Sequence, residues 1–211
     1  MNSSLDLRYR YAVGLIWLFT ISGIIGFSSA AFDWFVAMTP LNLMIYLAVI
    51  LFNVHEVNRK LLFALFIPFS IGMIAEIIGV NTGMVFGEYT YGANLGWKVM
   101  GVPWMIGVNW AVLTYCAASL STRISKGFIP RVILASLIMI GLDLLMEVSA
   151  PVFDYWEFEG GTAPIQNYLA WLFVAIACQF LFLKNYTIKD TLAPVHVIAA
   201  IAIFFGAFLI L

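Results

Sequence analysis

Long apolar runs separated by short polar turns set the pattern of this chain. Seven runs are long enough to cross a hydrocarbon core about 30 Å thick. They cover residues 11–31, 35–53, 61–80, 102–122, 128–149, 164–183 and 193–211. Each predicts a helix, and the short alternating segments of a β-barrel are not seen. Pro40 and Pro68 fall inside the second and third runs, where neighbouring helices satisfy the backbone groups a proline frees. The expected fold is all-α: one polytopic domain of seven transmembrane helices. Residues 84–101 are too polar and glycine-rich to span, and are expected to form an irregular lid or re-entrant segment. Gly79, Gly83 and Gly87 recur every four residues, a spacing that predicts close helix packing at Gly79 and Gly83.

Charge sets an orientation. Arg8, Arg10, Arg59, Lys60, Arg123, Lys126, Arg131, Lys184 and Lys189 all fall on one side of these runs, and only Lys98 falls on the other. The positive-inside rule makes the basic side cytoplasmic, with the N-terminus in and the C-terminus out. The run after Arg8 and Arg10 is about 20 residues, longer than the apolar core of a signal peptide, and reads as a retained helix. Trp34, Trp97, Trp104 and Trp156 fall near outer ends, as an interfacial belt would.

Composition narrows the class. Hydrophobic residues make up 64% of the 211 and charged residues 10%, against about 25% charged in soluble domains. An ordinary cytosolic enzyme, a disulfide scaffold, a disordered chain and a nucleic-acid binder are excluded. The net charge of -1 leaves no basic footprint for nucleic acid. A multi-pass protein of the inner, cytoplasmic membrane, in contact with lipid, is expected. Cys116 and Cys178 read as small buried hydrophobes, His55 as part of a solvated cap and His196 as a hydrogen-bonded core residue. No metal-binding spacing and no glycine-rich nucleotide motif occurs, so neither a metal nor another cofactor is expected.

Three acids fall within the runs. A carboxylate at the bilayer centre costs about 2.5–3.5 kcal/mol, so Glu76, Asp143 and Glu147 call for a reason. At 1.5 Å per residue, Glu76 and Asp143 both stand about 22 Å above the inner surface and Asn109 about 20 Å. Asp143 and Glu147 are four residues apart, on one helix face. Two such carboxyls in low dielectric do not both ionise readily, so a proton stays available. Tyr89, Tyr91, Trp97, Trp104, Trp110 and Trp171 are expected near this layer, where aromatic faces stabilise cations without attacking them. Acids beside aromatics suit protonation of an alkene and control of the resulting carbocation.

The residues also resemble a known family. Glu76-Ile-Ile-Gly-Val-Asn-Thr-Gly83, Phe86-Gly-Glu-Tyr-Thr-Tyr91, Leu95-Gly96 and Gly101-Val-Pro103 form a first block. Asp143-Leu-Leu-Met-Glu147, Asp154, Trp156, Pro164-Ile-Gln-Asn-Tyr168 and Trp171 form a second. Together, over about 70–185, they resemble the membrane carotenoid 1',2'-hydratases. The resemblance implies addition of water to the terminal double bond of an acyclic (psi) carotenoid end, such as that of lycopene, without a cofactor. It implies a carotenoid substrate in the bilayer and association with other carotenoid enzymes. Its motifs carry over to Glu76, Glu88, Tyr89, Tyr91, Asp143 and Glu147. As expected roles, Asp143 or Glu147 donates the proton and the other orients it or positions water. Glu76 takes the proton from water held by Asn109, Tyr89 and Tyr91, and Trp97 or Trp110 faces the cation; Glu88 and Trp171 join the substrate-binding set.

Other readings stay open. A membrane lycopene cyclase uses the same protonation but wants a dry pocket, whereas Asn94, Asn109, Gln166 and Asn167 suggest a wet one. A proton-coupled transporter needs polar groups all the way across, and Gln179 is the main polar residue of the inner halves. A retinal-type photoreceptor needs a lysine within a run, and no run has one at its centre. A purely structural protein would not need the carboxylate layer.

Overall fold

The computed structural model describes residues 3–54, 56–189 and 192–210, with side chains from residue 7 onward. His55 lies outside the described residues. Eight helices form the body: α1 (Ser3–Phe27), α2 (Phe32–Ala37), α3 (Thr39–Asn53), α4 (Arg59–Thr82), α5 (Trp104–Ile124), α6 (Phe128–Ser149), α7 (Ile165–Asn185) and α8 (Leu192–Ala207). Four short strands, β1 (Tyr89–Tyr91), β2 (Lys98–Val99), β3 (Val102–Pro103) and β4 (Trp156–Phe158), lie in the connections after α4 and α6.

Helix α5 is the axis. It packs against α3, α4, α6, α7 and α8, and its buried residues run from Ile106 to Ser121. Enclosure by protein explains its composition. Among the described residues four helices are long and apolar enough to cross a membrane: Leu7–Phe27 of α1, then α4, α6 and α7. Helix α5 has 21 residues, but Asn109, Thr114, Ser119 and Ser121 dilute its hydropathy; facing protein, it needs no lipid-compatible surface. Helices α3 and α8 are apolar but only 15 and 16 residues long.

The second run departs from expectation. It breaks into α2 and α3 at Met38, and Pro40 stands in the first turn of α3 rather than in a helix interior. A proline costs nothing there, because that backbone N–H has no helical partner. Pro68 does lie inside α4, buried.

The 84–101 segment is ordered by pairing. Strand β1 runs antiparallel to β4, with Tyr89 opposite Phe158 and Tyr91 opposite Trp156. Strands β2 and β3 form a hairpin turned by Met100 and Gly101, both at positive φ (49° and 87°), the conformation that two-residue hairpins favour. Asn81 at the end of α4 donates to the Met100 carbonyl at 3.0 Å. Lys98, the one basic residue of this side, donates to the Tyr91 carbonyl at 2.6 Å. The glycine stripe is not a helix–helix seam. Helix α4 is capped at its start by Asn58 and stops at Gly83, whose φ of 67° is left-handed, a common helix terminator.

Candidate active site

Glu76 is buried on α4, and three donors from two other elements converge on it. Tyr89 Oη and Tyr91 Oη donate to Oε2 at 2.5 and 2.8 Å, and Trp110 Nε1 donates to Oε1 at 3.2 Å. The strand period explains the tyrosines. In β1, Tyr89 and Tyr91 point inward and Thr90 outward, since side chains two apart share a face. Burial first, and then the Glu76 carboxyl, hold both phenols well above their ordinary pKa. They stay protonated and remain donors. Glycine opens the space they need. A Cβ on Gly79 would stand 2.8 Å from the Phe86 ring and 3.0 Å from the Tyr89 hydroxyl.

Helix α6 supplies two further acids one turn apart. Asp143 is wholly buried. Its Oδ2 has one long contact, to Asn167 Nδ2 at 3.5 Å, and its Oδ1 has no hydrogen-bond partner among the described residues. Glu147 is better held: Asn167 Nδ2 donates to Oε1 at 3.2 Å and Trp156 Nε1 to Oε2 at 3.1 Å. Asn167 lies in the first turn of α7, after Pro164 at its N-cap.

Glu76, Asn109, Asp143 and Glu147 line one small cavity with Tyr89, Tyr91 and Trp171. Its volume of about 20 Å³ is room for roughly one water, which needs two to four polar partners. The described residues form no cluster suited to a metal ion. A second cavity of about 500 Å³ adjoins it, lined mainly by apolar side chains of α1, α2, α3, α5 and α8. Ile106, Asn109, Met146 and Trp156 line both. An acidic, water-sized nest therefore lies beside an apolar chamber, with these four side chains between them.

Some expected site residues lie elsewhere. Glu88, just before β1, is exposed beside Glu159, because it is out of phase with the two tyrosines. Trp97 is 73% exposed next to the β2–β3 hairpin and suits an interfacial position. Trp110 is fully buried and stacks on Trp171, with centroids 4.0 Å apart and planes 18° apart. It supports Glu76 from behind, and Trp171 is the ring that borders the cavity. Asn94 and Gln166 are also absent from the nest. Asn94 donates to the Phe153 carbonyl, and Gln166 ties α7 to the carbonyls of Gly83, Met84 and Val85. His196 is hydrogen-bonded as expected but only half-buried, joined to Trp17 and Tyr9 across α1 and α8.

Sequence marks Asn167 as a sign of a wet pocket and Trp156 as a belt residue, and the structure brings both onto Glu147. Both lie in the second motif block, next to Asp154 and Pro164, and that is the signal that marks them.

Comparison with known proteins gives a consistent picture. A family profile described as "Carotenoid biosynthesis protein" matches residues 36–211. A bisanhydrobacterioruberin hydratase from Haloarcula japonica is 29% identical over 116 residues, covering 51% of this chain and 39% of that protein. The match thus spans well under half of that relative's length. No solved structure matches the chain.

Proposed function

The chain belongs to the carotenoid biosynthesis protein family, and from that premise we propose that it is a carotenoid hydratase. It adds water to the terminal double bond of an acyclic carotenoid end, without a cofactor. The observation that carries this reading is the junction of the water-sized acidic nest with the apolar chamber. A polyene end enters the chamber, and its last double bond reaches the nest past Asn109 and Trp156. A relative named as a hydratase supports the same class of reaction.

Asp143 is the proton donor. Its carboxyl has one long hydrogen bond and an unpartnered oxygen, so little around it compensates a negative charge. Asn167 spans Asp143 and Glu147 and fixes their relative position. Transfer of the Asp143 proton to C2 breaks the C=C π bond and leaves a tertiary cation at C1, bordered by Trp171 and Trp156. Water in the nest attacks C1. Its proton passes to Glu76, which its three donors hold as an acceptor. Return of that proton to Asp143 restores the starting state. The polar nest favours water capture over the internal alkene attack of a cyclase.

The protein acts as a multi-pass membrane protein of the cytoplasmic membrane. All seven apolar runs cross it, with the N-terminus in, the C-terminus out and the nest in the outer half.

Expression of the chain in a lycopene-producing host tests the reaction. Wild type is expected to give a product heavier by one water. Asp143→Asn and Glu76→Gln are each expected to lower conversion of lycopene at least a hundredfold, matching the usual 10²–10⁴-fold worth of a positioned acid or base. Full conversion by either variant discards its role, and a product of unchanged mass turns the assignment to cyclisation.

A further inference from the structure

The apolar chamber has one exposed wall. Its lining covers residues 19–27 of α1 and 39–46 of α3, about 10–12 Å at 1.5 Å per residue. One turn further towards the basic end stand Ile16 of α1, Ile50 of α3, Leu113 of α5 and Val197 of α8, each at most 1% exposed. That packed layer gives the chamber a floor. At the other end Phe27 meets Phe32, Phe153 and Phe204 edge to face, and Tyr155 and Thr39 share a hydrogen bond of 2.6 Å. The corner between α2 and α3 differs. Of the lining side chains only Trp34 of α2 and Leu41 of α3 are exposed, at 61% and 51%. They flank Met38, the lining residue at which the second apolar run breaks. Phe35 lies directly on Gly26 and docks α2 on α1, so packing holds the corner in place. Leu18 and Ile21 of α1 and Met44 of α3, exposed next to lining residues, are apolar. The corner therefore meets hydrocarbon rather than water.

An extended acyclic carotenoid is about as long as the hydrocarbon core is thick, roughly 30 Å. A chamber of about 500 Å³ and about 12 Å in height takes one end of it. The floor stops the chain from running on down the bundle, so the remainder leaves through the exposed wall. We propose that the α2–α3 corner is a lateral mouth to the lipid: the polyene passes one end inward between Trp34 and Leu41, and the rest of its chain stays in the bilayer against the outside of the bundle. The substrate then keeps its apolar surface out of water throughout. This deepens the hydratase reading and rests on it for the class of the occupant, but passage through the mouth does not require turnover.

Leu41→Cys provides the test, because Cys116 and Cys178 are free but buried. The full chain, purified without pigment in detergent micelles, is reacted with pyrene maleimide and then equilibrated with lycopene. Bound polyene per protein is read from its visible absorbance, which comes from the conjugated chain and does not change when water adds to the isolated terminal double bond. Leu169→Cys on α7, 54% exposed and in the same half of the bundle, is the control. Before labelling, both variants are expected to bind as wild type does. Labelled Leu41→Cys is expected to retain about tenfold less pigment, because the reagent fills the mouth, and labelled Leu169→Cys to retain as much as wild type. In the reverse order, bound lycopene is expected to slow labelling of Leu41→Cys about tenfold and to leave Leu169→Cys unaffected. Undiminished binding by labelled Leu41→Cys, equal loss at both positions, or unslowed labelling of loaded Leu41→Cys overturns the mouth, as does a wild type that holds no pigment. The mass of the bound pigment is scored separately. Blocked binding with pigment of unchanged mass keeps the mouth and counts against the hydratase reading; a gain of one water that persists in labelled Leu41→Cys does the reverse.

Discussion

Carboxyl groups in this molecule occupy environments that differ residue by residue. Glu76 has three donors, Glu147 two N–H donors, and Asp143 one long contact and a bare oxygen. That gradient separates the acceptor from the donor in the proposed reaction. Outside the bundle, Glu88 shows a simpler case. It stands beside Glu159, whose backbone N–H donates to the Glu88 carbonyl at 3.0 Å. The hydrogen bond to the Glu159 carboxyl, and then its charge, hold the Glu88 pKa above the ordinary carboxyl value. A carboxyl whose pKa is raised on folding contributes stability that is fully present below its unfolded pKa and lost as pH rises through the folded one. Ionisation of Glu88 beside Glu159 therefore costs stability as the pH rises. Glu88→Gln is therefore expected to unfold at a slightly higher temperature than wild type at pH 7, and at the same temperature near pH 3, about a unit below the ordinary Glu value. High salt should shrink the difference, since the pair is exposed. A difference independent of pH would exclude the repulsion.

At the scale of elements, the contact of α4 with α5 decides whether the nest forms. The Trp110 ring lies directly on Gly72, and Phe69 and Met73 of α4 lie against Gly107 of α5. Any Cβ on Gly72 overlaps the indole that donates to Glu76. Gly72→Ala is expected to destabilise by about 1–3 kcal/mol, the usual cost of overpacking, read from denaturant unfolding in micelles. Gly141→Ala on α6 has open space around it and should be neutral or slightly stabilising, as alanine favours helix. Equal effects of the two would mean that Trp110 yields easily. Much of this level is visible in sequence. The apolar runs mark the helices, and the depth count brings Glu76, Asn109 and Asp143 to one level because helix rise is fixed. What hides is long-range pairing. Nothing local to 84–101 says that Tyr89–Tyr91 will pair with Trp156–Phe158, so although the motif brings the tyrosines to the site, the outward phase of Glu88 and the reach of Trp156 to Glu147 stay invisible. The four-residue glycine spacing misleads for a related reason. One glycine makes room for Tyr89, the next ends α4, and Gly87 has a φ of 96° beyond the helix.

Across the whole molecule, charge and burial combine into a test of orientation. The basic residues cluster where α4, α6 and α8 begin and where α5 and α7 end. The strands, the nest and the apolar chamber sit at the opposite end. If the basic end is cytoplasmic, the nest draws water from the outer side, and the new hydroxyl forms near the outer headgroups. The native cysteines make this measurable, because Cys116 and Cys178 are both free and buried and should not react with a membrane-impermeant thiol reagent. Gly160 lies in the loop after β4, exposed and with open space around it, and Lys126 lies exposed in the turn between α5 and α6. In intact cells Gly160→Cys is expected to label and Lys126→Cys to remain silent until the membrane is permeabilised. The opposite pattern would invert the protein and move the nest to the cytoplasmic half. Labelling of both sites in intact cells would mean that the strands and the α5–α6 turn share one side, which an odd number of crossings between them forbids, and would overturn the seven-crossing arrangement itself.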